Sequence, residues 1–277
     1  MRLARRAALS VLTLVSAAAL AACGGTASTS SSATDSAASD AMVSSTEASS
    51  ATGSITVFAA ASLQGAFEDI AAEFEKANPD ASVAFDFQGS QDLVSALAEG
   101  ASADVLATAN TKTMKAAADQ DLVGSQTEFA TNALALIVPE GNPAKVTGVD
   151  DGSLDKADLV ICAAEVPCGT ATQTLAAELG VTLHPASEEQ KVTDVRGKVE
   201  SGEADAGIVY QTDAADAGDK VEAVALPEND VVNHYPIAVT SNASNAVTAQ
   251  AFIDYVMSEA GQKILQQDYG FGTPAAK

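Results

Sequence analysis

A short run, Ile55-Thr-Val-Phe-Ala-Ala60, is apolar at almost every position, and apolar residues at helical spacing follow it directly: Leu63, Phe67, Ile70, Ala71 and Phe74, stopped by Asn78-Pro79. A continuous apolar run predicts a strand buried on both faces of a parallel sheet, and the spacing behind it predicts a helix packed on that sheet. The unit then recurs. Ser82 to Gln88 reads as a strand, and Ser90 opens a helix that turns Leu93, Ala96 and Leu97 inward and ends at Gly100. Asp104 to Ala109 and Thr111 to Asp121 repeat the pattern. Such alternation predicts an α/β fold with right-handed crossovers.

Beyond Asn132 to Val138 a cluster of Pro139, Gly141 and Pro143 marks a boundary. A second α/β block follows, with strands at 158–163, 206–210 and 221–226 and helices at 170–179 and 195–201. The stretch from His234 through helices at 246–257 and 260–267 has no sheet of its own, so it is assigned back to the first block. The expected division is therefore lobe one at 54–138 with 234–277 and lobe two at 139–233, crossed near Pro139 and Asn233. At 224 residues, this region suits two lobes of about 100 residues each.

The N-terminus reads as an address. Arg2, Arg5 and Arg6 precede an apolar run from Ala7 to Ala22, which is short for a permanent span and fits a secretory signal over residues 1–22. It ends in Leu20-Ala-Ala-Cys23, which resembles the bacterial lipobox and implies that Cys23 receives diacylglycerol and becomes the new terminus. From Gly24 to Gly53, 25 of 30 residues are Ser, Ala, Thr or Gly, too little apolar surface to order itself, so residues 23–53 are expected to form a flexible tether. The mature protein is expected outside the cytoplasmic membrane, anchored by its lipid.

Charge excludes whole classes of partner. With 37 Asp and Glu against 14 Lys and Arg the formal charge is −23, and loss of residues 1–22 with their three arginines takes it to −26. Nucleic acid binding needs a basic surface that releases counterions, so no nucleic acid partner is expected. Without Trp, and with 4 Tyr and 8 Phe, the chain is also poorly supplied with stacking platforms.

In open α/β sheets ligands bind beyond the carboxyl ends of the strands, beside helix N-termini whose free N–H groups favour anions. Those corners hold uncharged donors here. Ala59-Ala-Ala-Ser62 follows the first strand, with Ser62 expected as helix N-cap, and Gln88-Gly-Ser90 follows the second. In the second block Val166-Pro-Cys-Gly169 opens a helix and Tyr210 ends a strand. No Lys or Arg stands among them.

The run Ile55-Thr-Val-Phe-Ala-Ala-Ala-Ser-Leu63, with Gln88-Gly-Ser90, Val166-Pro-Cys-Gly169 and Gly202-Glu-Ala-Asp-Ala-Gly-Ile-Val-Tyr210, resembles the periplasmic molybdate-binding proteins of ABC importers, over essentially all of 54–277. The resemblance implies a two-lobed periplasmic-binding-protein fold of type II with a ligand cleft between the lobes. It implies a non-enzymatic, cofactor-free, monomeric carrier that captures molybdate or tungstate and passes it to an ABC permease. By position it implies that the oxyanion is held by the hydroxyls of Ser62, Ser90 and Tyr210 and the amides of Cys168 and Val195. Measured from Val195 to Tyr210, the chain looks about three residues shorter than the family pattern, and Thr170 and Ala171 stand where the family often has a basic residue and an aromatic.

An acidic protein can hold a dianion because surface charges are screened beyond about 8 Å at physiological salt. Local donors decide: each hydrogen bond to a charged group contributes about 1.5–3 kcal/mol, so five to seven of them reach the roughly 12 kcal/mol of nanomolar binding after ordering costs. A cleft of donors suits a fully deprotonated anion and penalises hydrogen phosphate, whose proton would find no acceptor. Sulfate is disfavoured by its size; molybdate and tungstate are too alike in size to be separated.

Cys162 and Cys168 stand in an expected exported domain, one at a strand end and the other at a helix start, so a disulfide bracing the anion-binding turn is expected, with free thiols as the alternative. His184 and His234 form no pattern with a nucleophile, and Asp213 to Asp219 reads as a solvated acidic face. Two alternatives stay open: another cargo such as sulfate or ferric iron, and, against the lack of any nucleophile-base pair, an extracellular enzyme.

Overall fold

The computed structural model describes residues 51–274; the leader, Cys23 and the tether up to residue 50 lie outside the described residues. Strand β1 (Gly53–Ala60) carries the opening apolar run, and its last four residues are all buried, as expected for a strand covered on both faces. A single 3-10 turn, Ala61–Leu63, leads into α1 (Gln64–Ala77), which ends at the Asn78-Pro79 stop. Then come β2 (Ala81–Gln88), α2 (Ser90–Ala98), β3 (Val105–Ala107) and α3 (Thr111–Ala118). Strands β2 and β3 both pair in parallel with β1, the product of two strand-helix-strand crossovers.

Strand β4 (Val123–Pro139) is 17 residues long and serves two sheets. Its Val123–Ala133 half pairs antiparallel with β9 (Val232–Thr240), and its Leu134–Pro139 half pairs with β7 (Ala206–Tyr210) and β8 (Val221–Val224). Two register shifts, near Gln126 and Phe129, bend the strand between these duties. Strand β5 (Leu159–Cys162) continues the second sheet beside β7 and pairs with a short β6 (Ser187–Glu189) that the sequence pattern did not reveal. The helices of this half are α4 (Pro167–Leu179), α5 (Val192–Glu200) and α6 (Gln211–Ala217). The chain closes with α7 (Ala246–Met257) and α8 (Glu259–Lys263).

Both sheets are covered by separate apolar cores. One face of the first sheet packs Phe67 and Phe74 of α1 against Phe129 and Phe252, with ring centroids 5.5–6.0 Å apart. Its other face holds Leu93, Leu106 and Met114 beneath α2 and α3. The second sheet buries Leu136, Ile137, Ile208, Leu175 and Val195. Strand β9 pairs with β3 as well as β4, and α7 packs on α1 and β1, so the C-terminal stretch is built into the first sheet. A buried carboxylate ties it there: Asp104 accepts the N–H groups of Thr56 (2.8 Å) and Asn245 (2.9 Å) and the Ser244 hydroxyl (2.9 Å). Those donors outweigh the cost of burial and hold its carboxyl below the usual range.

Candidate functional site

The starts of α2, α4 and α5 converge where the two sheets face each other. None of the three N-termini is capped by a side chain, so their first N–H groups and dipoles are open to a ligand. Between them lies a narrow cleft whose lining includes Ser62, Ser90, Cys168, Lys191, Val192 and Tyr210.

Neither serine is a helix cap. Helix α1 starts at Gln64 with Leu63 in the cap position, and Ser62 sits in the preceding turn with its Oγ 3.1 Å from the Tyr235 hydroxyl. Ser90 is the first residue of α2, behind Gly89, and its buried Oγ accepts the Ala109 N–H at 3.0 Å. The cap expectation for Ser62 fails because a one-turn 3-10 segment intervenes and swings the hydroxyl away from the helix axis. Cys168 is the second residue of α4, after Pro167, and is joined to Cys162 at the end of β5 by a disulfide. Tyr210 ends β7, is buried, and its Oη accepts from Asn233 Nδ2 at 2.9 Å.

Val195 does not reach the cleft. Helix α5 begins three residues earlier than the sequence pattern indicated, so its first residue is Val192, while Val195 is wholly buried against the second sheet beside Gly207. Counting from Val192 restores the three residues that the segment before Tyr210 was expected to lack. The sequence did offer a cue: Asp194 is a residue type favoured in a first helical turn. The expected absence of cations from the cleft also needs correction, because Lys191 lines it; its ammonium lies 3.9 Å from Asp194.

Sequence reasoning passed over the residues behind the hydroxyls. Asn132 on β4 and Asn233 on β9 are direct partners in the ladder. Asn132 Nδ2 donates to Thr212 Oγ1 at 2.8 Å and to Tyr235 Oη at 3.4 Å, and its Oδ1 accepts the Ala133 N–H at 3.0 Å. Asn233 Nδ2 donates to the Ala109 carbonyl at 2.7 Å besides Tyr210. Asparagine is depleted in strands, so its presence within two strands was the available signal. Burial raises the phenols of Tyr210 and Tyr235 well above their ordinary range, so both remain protonated donors.

Asp213, expected on a solvated face, is only 3% exposed, at the start of α6. Burial pushes its carboxyl up to about 7, although the Arg196 charge and the Tyr210 N–H, donated at 3.2 Å, oppose the shift. Between its ordinary 3.8 and about 7 the folded state holds a proton that the unfolded chain has released, so this group subtracts stability as pH rises through that window. Asp213→Asn should therefore gain on the wild type in denaturant unfolding from about pH 4 to 7, with the difference level above. A difference independent of pH would contradict this burial.

The two halves touch at the cleft rim. A Cβ on Gly89 would overlap the Gln190 carbonyl, to which Gln91 Nε2 donates at 3.0 Å, so glycine lets the start of α2 seat against the residues before α5.

Residues 55–272 match the sequence profile of the bacterial extracellular solute-binding proteins. The chain belongs to that family. The solute-binding protein is 44% identical over 223 residues to the molybdate-binding protein ModA of Mycobacterium tuberculosis H37Rv, covering 80% of this chain and 85% of the relative. ModA of Haemophilus influenzae is 33% identical over 235 residues, with 80% and 91% covered. The periplasmic molybdate-binding protein of Azotobacter vinelandii superposes with a TM-score of 0.69 over 80% of this chain and all of that one, at 20% identity, a likeness of fold. The solute-binding protein thus has the two-lobed α/β fold and belongs among binding components of transporters, not among enzymes.

Proposed function

We propose that this solute-binding protein captures molybdate, and tungstate as a cargo of the same shape, and delivers it as a monomer to an ABC importer from outside the cytoplasmic membrane, held there by lipid on Cys23. The observation that carries the reading is the convergence of three uncapped helix N-termini with the hydroxyls of Ser62, Ser90 and Tyr210 on one small cleft. The cargo would be held by those hydroxyls and by the amides of Cys168 and Val192, with Val195 behind them as packing. Lys191 would add a partly neutralised positive charge at the rim. The likeness to the ModA proteins supports the choice of cargo.

The lobes in this reading are the two sheets with their helices, and the flexure lies where β4 and β9 pass between them, near Asn132 to Leu134 and Val231 to Asn233. Closure would bring the α4 and α5 termini of one lobe onto the serines of the other. Thermal unfolding against an oxyanion panel tests the cargo. Stabilisation by molybdate and tungstate, with sulfate and phosphate much weaker, is the expected result. A response to sulfate or to ferric iron alone would replace the cargo, and turnover of a substrate without saturable stabilisation would overturn the class.

A further inference from the structure

The cleft hydroxyls can each donate or accept, and a hydroxyl that spends its proton on the protein has none for an anion. Which way the protons point is decided by what stands behind them. Ser90 Oγ receives the Ala109 backbone N–H, a group that can only donate, and keeps its own proton for the cleft. Tyr210 Oη receives Asn233 Nδ2, whose identity as the nitrogen is set by its second bond, to the Ala109 carbonyl. Tyr235 Oη receives Asn132 Nδ2, whose orientation is set in turn because Asn132 Oδ1 takes the Ala133 N–H.

Tyr235 is fully buried, so its proton needs a partner. Among the bonds its oxygen makes, Asn132 Nδ2 is a donor, and Ser62 Oγ, at 3.1 Å, can accept. Tyr235 then donates to Ser62, and the Ser62 proton is left for the cleft. The Tyr210 phenol also lies within reach of the Tyr235 oxygen, but its own oxygen already receives Asn233 Nδ2 at 2.9 Å, and its proton has the stronger acceptor in a doubly charged ligand oxygen.

We infer that Asn132, Asn233 and Tyr235 are positioning residues that set the hydrogen-bond polarity of the cleft, forcing Ser62 and Tyr210 to act as donors and so tuning the protein for fully deprotonated oxyanions. The inference rests on the oxyanion reading above. It also explains why two asparagines face each other in the ladder at the crossing between the sheets: each loads one phenol from behind.

A double-mutant cycle tests it by calorimetry with molybdate. Tyr235→Phe keeps the ring that packs edge-on against Phe129 and Phe271, and unfolding of the free variant checks that the fold is retained. Acting through Ser62, Tyr235→Phe should weaken binding about fivefold in the wild type and in Ser90→Ala, and have no effect in Ser62→Ala. Equal loss in all three backgrounds, or no loss in any, overturns the relay. The molybdate-to-phosphate affinity ratio should also fall in Tyr235→Phe, because an unloaded Ser62 oxygen can accept a phosphate proton; an unchanged ratio counts against the inference. If molybdate does not bind the wild type but another anion of the panel does, the cargo reading fails and the cycle with that anion still decides the relay. If no anion binds, both fall.

Discussion

The Ser62→Ala, Ser90→Ala double variant is expected to bind molybdate about 10²- to 10⁴-fold more weakly than the wild type. Each serine offers one proton to a dianion, and a hydrogen bond to a charged group contributes about 1.5–3 kcal/mol, so two of them sum to about 3–6 kcal/mol. Single replacements should each weaken binding by about 1–3 kcal/mol. The free proteins should lose stability as well. Ser62→Ala removes no helix cap but strips the buried Tyr235 hydroxyl of its acceptor, and Ser90→Ala strips the buried Ala109 N–H of its acceptor, each at a cost of about 1–3 kcal/mol. Calorimetry with denaturant unfolding separates the two effects. Unchanged affinity in both single variants would remove these serines from the site.

The second large effect is expected at Gly169. A Cβ there would overlap the Ala163 carbonyl oxygen and approach the Cys162 carbonyl oxygen to 2.6 Å. Both neighbours are backbone, bracketed by the Cys162–Cys168 disulfide, so neither can rotate aside. Overpacking ordinarily costs about 1–3 kcal/mol, and with no flexible side chain to yield, Gly169→Ala should lose about 3 kcal/mol or more in urea unfolding. Because α4 would have to lift off the end of β5, the Cys168 amide should also move and anion affinity should fall with stability. A Gly169→Ala protein within about 1 kcal/mol of the wild type would show that the turn has room which the packing denies it.

Much of the architecture could be read from local pattern, since burial on both faces of β1 and one-sided burial of α1 impose periodicities that survive in one dimension. Residues 206–210 as a strand and 246–257 as a helix coincide with the elements of the structure. Errors gathered where the pattern carries little information. Strand β6 has three residues, none of them apolar, and α6 begins at Gln211, directly after the last residue of β7. Asp213 looked like one more acid in an acidic run, because nothing in the run says that its first residue turns beneath the Tyr210 amide.

The chemistry of the site divides along the same line. The amino-acid sequence by itself determined the alternating α/β plan and the choice of neutral donors at Ser62, Ser90, Cys168 and Tyr210, because strand ends and helix starts are local events whose residue types are visible in order along the chain. Only the tertiary structure decided that Val192 and not Val195 heads the helix at the cleft, that Lys191 joins it, and that Asn132, Asn233 and Tyr235 stand behind the hydroxyls. Tyr235 reaches Ser62, Asn233 reaches Tyr210 and Asn132 reaches Tyr235 across sequence separations of 23 to 173 residues, and the direction of a hydroxyl proton depends on which groups end up on its far side, a property that no stretch of sequence carries alone.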